Sequence, residues 1–165
     1  MAFFEDLSAH QYRDMDVISF NWGWLSFRPR YDRINVGWLD APHPFEQGPI
    51  PDGFAAALLD IIAGPRTNVM RGYHDCSFCP QRSMSSIPTA DHATGTLVLG
   101  HSEIRVPSTR RDTMFAAPSL IVHYVTVHAY RPPSPFIAAV QQHDPNWTTE
   151  PSPWIPADAQ RITLD

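Results

Sequence analysis

Apolar positions recur at helical spacing in Phe54-Ala55-Ala56-Ala57-Leu58-Leu59-Asp60-Ile61-Ile62, where Phe54, Leu58, Ile61 and Ile62 share one face. Breakers flank this stretch, Gly48-Pro49-Ile50-Pro51-Asp52-Gly53 before it and Gly64-Pro65 after it, so the pattern predicts a short amphipathic helix. A second helix is predicted from Pro118, whose missing N–H costs nothing in a first turn, through Leu120 to His128, stopping before Pro132-Pro133. Ser134-Pro135 opens a third, running through Phe136-Ile137-Ala138-Ala139-Val140.

Strand patterns alternate with these. Ile34-Asn35-Val36-Gly37-Trp38-Leu39, Thr96-Leu97-Val98-Leu99 and Ser102-Glu103-Ile104-Arg105-Val106 read as strands. Pro107 to Asp112 reads as a turn into a return strand, Thr113-Met114-Phe115-Ala116, and Asp6-Leu7-Ser8 as a short turn. The polar stretch from Gln81 to Thr94 is expected to be an exposed loop. The organisation expected is one globular, zinc-binding domain over 1–144 and a Pro-rich C-terminal tail over 145–165, with Trp147 and Trp154 pinning parts of the tail to the body.

Composition narrows this picture. A chain of 165 residues, 43% hydrophobic and 12% aromatic, is long enough to enclose a core. Phe3, Phe4, Tyr12, Phe20, Trp22, Trp24, Phe27, Tyr31 and Trp38 crowd the first quarter, and burial is the expected role for such rings, a partner-binding surface the alternative. The 17 prolines and 8 glycines favour short elements and many turns. All 12 basic residues are arginine, and with 17 acidic residues the net charge is −5, opposite to the basic balance that phosphate neutralisation requires of nucleic-acid binders. No apolar run approaches a membrane span, and Met1-Ala2-Phe3-Phe4-Glu5-Asp6 lacks the regions of a secretory signal, so the expected location is the cytoplasm.

In a reducing compartment the two cysteines of Cys76-Ser77-Phe78-Cys79 read as metal ligands or a redox pair rather than a disulfide staple. Two thiolates at this spacing can reach one tetrahedral ion, and zinc suits sulfur with imidazole. His123 and His128 on the predicted second helix have the spacing to complete the shell. Five steps along an ideal helix turn through roughly 140°, so the end of that helix has to loosen before both imidazoles meet one ion. His74 is a substitute ligand for either histidine, and a metal-free pair of buried thiols is the remaining option. A thioredoxin-like role has little support, because Pro80 opens a loop where a helix would have to follow. His10, His43, His92 and His143 are expected to be solvated or capping residues.

Leu120-x-x-His123, led in by Met114-Phe115 and followed by His128, resembles the helical half of a zinc finger with two cysteine and two histidine ligands. The 43 residues between Cys79 and His123 exceed the interval of about 12 in a DNA-reading finger, so that function does not carry over. A wider match runs through Asn35-Val36-Gly37-Trp38-Leu39-Asp40, Arg71-Gly72-Tyr73-His74-x-Cys76-x-x-Cys79, Glu103-Ile104-Arg105-Val106 and Ala116-Ala117-Pro118-x-Leu120-Ile121-x-His123-Tyr124-Val125-x-x-His128-x-Tyr130-x-Pro132-Pro133-x-x-Phe136-Ile137. Together these resemble a family of small, uncharacterised bacterial proteins known as a domain of unknown function. The resemblance implies an ordered domain with a shared site and no particular activity.

The fold class expected is therefore α+β, a single small loop-rich domain with a short antiparallel sheet or hairpin and a few short helices around a zinc site. The leading functional expectation is a non-catalytic, zinc-stabilised domain whose partner is another protein. A zinc-dependent hydrolase or deaminase-like enzyme using Glu103 is the alternative, since His101-x-Glu103 and Cys76-x-x-Cys79 are pieces of the nucleobase-deaminase signature. Their order is reversed here, and four protein ligands would leave no open zinc position for water. A nucleic-acid-binding finger, suggested by the half-motif and by Arg110-Arg111, is the third reading.

Overall fold

Alternating burial along Asp16-Val17-Ile18-Ser19-Phe20 and Gly23-Trp24-Leu25-Ser26-Phe27 comes from an antiparallel hairpin, β1 (Asp16–Phe20) and β2 (Gly23–Phe27). Asn21 and Trp22 form its two-residue turn, with Phe20 opposite Gly23. The computed structural model describes residues 2–80, 86–88 and 95–164. His92 and most of the loop expected over 81–94 lie outside those residues. Ser86–Pro88 within it is not loop but strand, β5, paired with β6 (Thr96–Val98) in a separate two-stranded sheet.

The main sheet also takes in β3 (Asp32–Asn35), β4 (Arg66–Thr67), β7 (Glu103–Pro107), β8 (Thr113–Pro118) and β9 (Gln160–Thr163). Its order is β3-β8-β7-β4-β1-β2-β9, antiparallel except for the parallel β3–β8 pair. The fold is α+β as expected, but the sheet is mixed and seven-stranded, larger than a short antiparallel sheet or hairpin. β4 is the joint: Thr67 sits opposite Ile18 on one side and Glu103 on the other.

Three corrections concern element ends. The strand expected over Ile34–Leu39 stops at Asn35, because Gly37 takes φ +76° and a Cβ there would meet the Ile121 side chain at 2.6 Å. Pro118 does not open a helix; it is the last residue of β8, opposite Glu103. The second helix, α2, is Ile121–Val127. The third is β9, a strand paired with β2 within the segment expected to be an extended tail, while Trp147 and Trp154 pin that segment to the body as expected, packing with Ile155 on the cluster of Ile18, Leu25, Phe27, Tyr31 and Met114.

Helices cover one face of the sheet. α1 (Phe54–Ala63), α2 and α3 (Ser134–Gln141) bring Phe54, Leu58, Leu120, Ile121 and Phe136 onto Ile104, Val106, Phe115 and Ala117. Period-two geometry puts Glu103 and Arg105 on the opposite face. The N-terminal segment shields the β3 edge, with Leu7 N–H donating to Asn35 O and Asn35 N–H to Ser8 O, each 2.8 Å. Among the early aromatics, Phe27, Tyr31 and Trp38 are buried as expected, whereas Tyr12 and Trp22 are exposed. No helix among the described residues is long and apolar enough to cross a membrane.

Candidate metal centre

Cys76-Ser77-Phe78-Cys79 forms a tight turn after the segment that carries His74. Burial pushes the Cys76 thiol up, against the backbone N–H groups of Phe78 and Cys79, which reach its sulfur and favour thiolate. Phe78 wedges the turn in place, its ring 5.1 Å from Phe45, 5.5 Å from His128 and 5.9 Å from Tyr124 between centroids. Across from the turn, α2 supplies His123 from its body and His128 from its end. The helix closes where the two-histidine geometry demands it. His128 leaves helical backbone (φ −110°, ψ 10°), Ala129 turns left-handed (φ 56°), and Tyr130 N–H returns to Tyr124 O at 3.1 Å.

The result is convergence. One ligand atom from each of Cys76, Cys79, His123 and His128 lies within 4.8 Å of all the others. Cys76 Sγ is 3.3 Å from His128 Nε2, and Cys79 Sγ is 3.3 Å from His123 Nε2 and 3.5 Å from His128 Nε2. Cys76 is buried and the other three are half-buried. Burial, and secondarily the neighbouring His128, lowers the His123 pKa and favours the neutral, ligating imidazole. This cluster can hold a metal ion.

His74, the substitute ligand, does not join the cluster. Its backbone N–H donates to Gly100 O at 2.8 Å, anchoring the approach to Cys76. Gly100 is at φ +92°, its N–H donates to Ser119 Oγ at 3.0 Å just before α2, and a Cβ there would lie 2.4 Å from His74 O. Gly100→Ala is therefore expected to cost about 2 kcal/mol or more of folding stability by urea denaturation, since both backbone strain and a backbone clash are imposed.

Glu103, the candidate base, is also elsewhere. Its side chain is 1% exposed and its Oε2 lies 2.7 Å from Arg105 Nη1 and 3.5 Å from His10 Nε2. Arg105 in turn grips Asp16, donating from Nη2 to Oδ1 at 2.7 Å and from Nε to Oδ2 at 3.0 Å. Tyr31 Oη–H (2.7 Å) and Arg33 (3.0 Å) complete the shell around Asp16. Burial alone would raise both carboxyl groups, but Arg105 overcomes it with help from Tyr31 and Arg33 at Asp16 and from His10 at Glu103, holding both below the usual range. This pairing engages Glu103 within a buried ion network, apart from the cysteine–histidine cluster.

His10 is a correction. Rather than solvated, it is buried, its Nδ1 2.5 Å from Asn35 Oδ1. His43 is exposed as expected and stacks on Phe3 at 3.7 Å. His143 is half-buried, with its Nδ1 shut off from solvent and without a hydrogen-bond partner among the described residues. The buried partners Asp16, Tyr31 and Asn35 were not foreseen; a hairpin pattern over 16–27 would have placed Asp16 on the same face as Ile18.

A family model described as a domain of unknown function (DUF7919) matches residues 2–141. The chain belongs to that family. The matched span includes all four residues of the DUF7919 chain's cysteine–histidine cluster. No curated protein and no solved structure matches the chain.

Proposed function

We propose that this chain is a non-catalytic domain stapled by one structural zinc ion, held by Cys76, Cys79, His123 and His128, and that it works by contacting another protein. The observation that carries the zinc reading is the spacing of the four ligand atoms. At the usual zinc–sulfur and zinc–nitrogen distances, neighbouring sulfur and nitrogen vertices of a tetrahedron are about 3.5 Å apart. Cys76–His128, Cys79–His123 and Cys79–His128 stand at 3.3, 3.3 and 3.5 Å. Two sulfurs and two imidazoles fill a tetrahedral shell, which is the pattern of structural rather than catalytic zinc.

The protein-partner half of the reading draws on charge. A net charge of −5 disfavours nucleic acid, and retention on a DNA or RNA filter that weakens with salt would revive that alternative. The enzyme reading loses its proposed base, since Glu103 is engaged by Arg105 on a buried strand.

Cobalt substitution tests the closed shell. The Co(II) form is expected to show tetrahedral absorption that does not change on adding azide or thiocyanate; a spectrum remodelled by either anion would mean an open position and an enzyme-like site. Zinc uptake at pH 7 is also expected to release close to two protons per ion. The thiols must ionise, and burial has already raised that of Cys76, while His123 is held neutral and has no proton to lose. Calorimetric titrations in buffers of different ionisation enthalpy count those protons, and release near zero would contradict dithiolate ligation.

A further inference from the structure

We propose that the cavity between the end of β7, the C-terminal end of α3 and the segment 142–154 binds a neutral sugar residue, seated against Trp147 and Trp154 and held by its hydroxyl groups. The cavity measures about 360 Å³, within the range of small-molecule sites. Its two indoles supply apolar surface whose electron-rich faces suit the C–H groups of a sugar ring. Both rings are fixed before any ligand arrives. They are half-buried and pack on the cluster of Ile18, Leu25 and Phe27, and Trp154 stands edge-on to Tyr31 at 6.0 Å. Ser152 ties them together, its hydroxyl donating to Trp147 O and accepting from Trp154 N–H at 3.2 Å. Little ordering is then left to oppose binding.

The polar groups set the class of ligand. Thr109, Gln142, Asp144, Asn146 and Thr149 line the cavity from separate points, and all five are exposed. Among the described residues the side chains of Thr109, Gln142, Asn146 and Thr149 make no hydrogen bond, so each is free to meet a ligand hydroxyl. One Asp144 oxygen accepts from Asn146 N–H at 2.9 Å, which orients the carboxylate and leaves its second oxygen to accept from a hydroxyl. No arginine lines the cavity, and burial lowers the pKa of His143 further than Asp144 raises it, keeping that ring neutral at pH 7. His143 Nδ1 has no accessible surface and plays no part in the contact. The one formal charge is therefore negative, which opposes acidic sugars and nucleotides. An aromatic hydrocarbon would cover the indoles but strip water from the carboxylate and amides without replacing it.

Methyl glycosides of glucose, galactose, mannose and N-acetylglucosamine are titrated into the ¹⁵N-labelled full chain, beside glucuronate, phenol and uridine. The chain has five tryptophans, so the indole N–H signals of Trp22, Trp24 and Trp38 act as internal controls for those of Trp147 and Trp154. At least one neutral glycoside is expected to shift the Trp147 and Trp154 signals saturably, at least about fivefold more tightly than glucuronate, phenol or uridine. Equal affinity for the corresponding free sugar would assign the end of a glycan or a free sugar alike, and a preference of about fivefold for the free form would assign the free monosaccharide. Gln142→Ala combined with Asn146→Ala, both exposed, should weaken binding at least about fivefold. Thr149→Phe narrows the cavity from an exposed position and should weaken it as much. No saturable indole shift from any of the four glycosides up to about 50 mM would overturn the proposal. So would shifts led by the control tryptophans, a control ligand that binds as tightly, or unaltered affinity in the folded double variant.

Discussion

Cys76→Ser is expected to yield a chain that holds no zinc and shows no cooperative melting transition. The argument is one of scale. Structural zinc in small cysteine–histidine sites binds with an apparent free energy of about 10–16 kcal/mol at neutral pH, while a whole domain of ordinary size is stable by about 5–15 kcal/mol. Cys76 sits in the main hydrophobic cluster with Leu120, Tyr124 and Tyr130, so loss of the ion would leave thiol and imidazole groups unpaired at the edge of the core. His128→Ala should behave in the same way, because the end of α2 is shaped around that residue. Metal content by plasma mass spectrometry, read beside circular-dichroism melting, separates the outcomes. One zinc per wild-type chain, and none in either variant, is the expected result. Wild-type melting in Cys76→Ser would refute a structural role.

His74→Ala supplies the control that spacing alone cannot. The imidazole stands outside the cluster and the segment is held by its backbone N–H to Gly100, so zinc content should stay at one per chain. Loss of zinc there, with retention in His128→Ala, would exchange the two ligands.

The helices were legible because each carries its own signals. α1 lies between Gly53 and Gly64 with Phe54, Leu58 and Ile62 buried on one face, and α3 starts at Ser134-Pro135. The Cys-x-x-Cys turn and the histidines were likewise legible, even to the loosened end of α2, since metal-ligand spacing is local. What joins distant segments was not. The β1–β2 hairpin was hidden by reading its aromatics as general core filling, and β9 by a proline-rich context that suggested a tail. The short β4, which connects the two halves of the sheet, has only two residues and leaves no periodicity to detect. Asp16 and Arg105 lie 89 positions apart, and nothing in either neighbourhood announces the pair.

That pair sets the second large effect. Arg105→Met is expected to destabilise the fold by about 3–5 kcal/mol, because it strands the carboxylates of Asp16 and Glu103 in a site with almost no solvent access. Glu103→Gln should cost less, about 1–3 kcal/mol, since the amide keeps an oxygen for Arg105 but loses the charge. Urea denaturation of the zinc-loaded protein gives both values. Asp16→Asn, Glu103→Gln and Arg105→Met combined should recover much of the loss of Arg105→Met alone, because no buried charge is then left without its partner, although Arg33 and Tyr31 would still lose their acceptor at Asp16. A purely catalytic Glu103 predicts the reverse, with Glu103→Gln neutral for stability. The ion network and the metal centre thus tie down different parts of the fold: the network joins β1, β3 and β7 across the sheet, while the cysteine turn and α2 close over its helical side. Additive costs for Arg105→Met and Gly100→Ala would mark the two as independent; coupling above about 0.5 kcal/mol would mean that β7 and the Gly100 turn before it transmit strain between them.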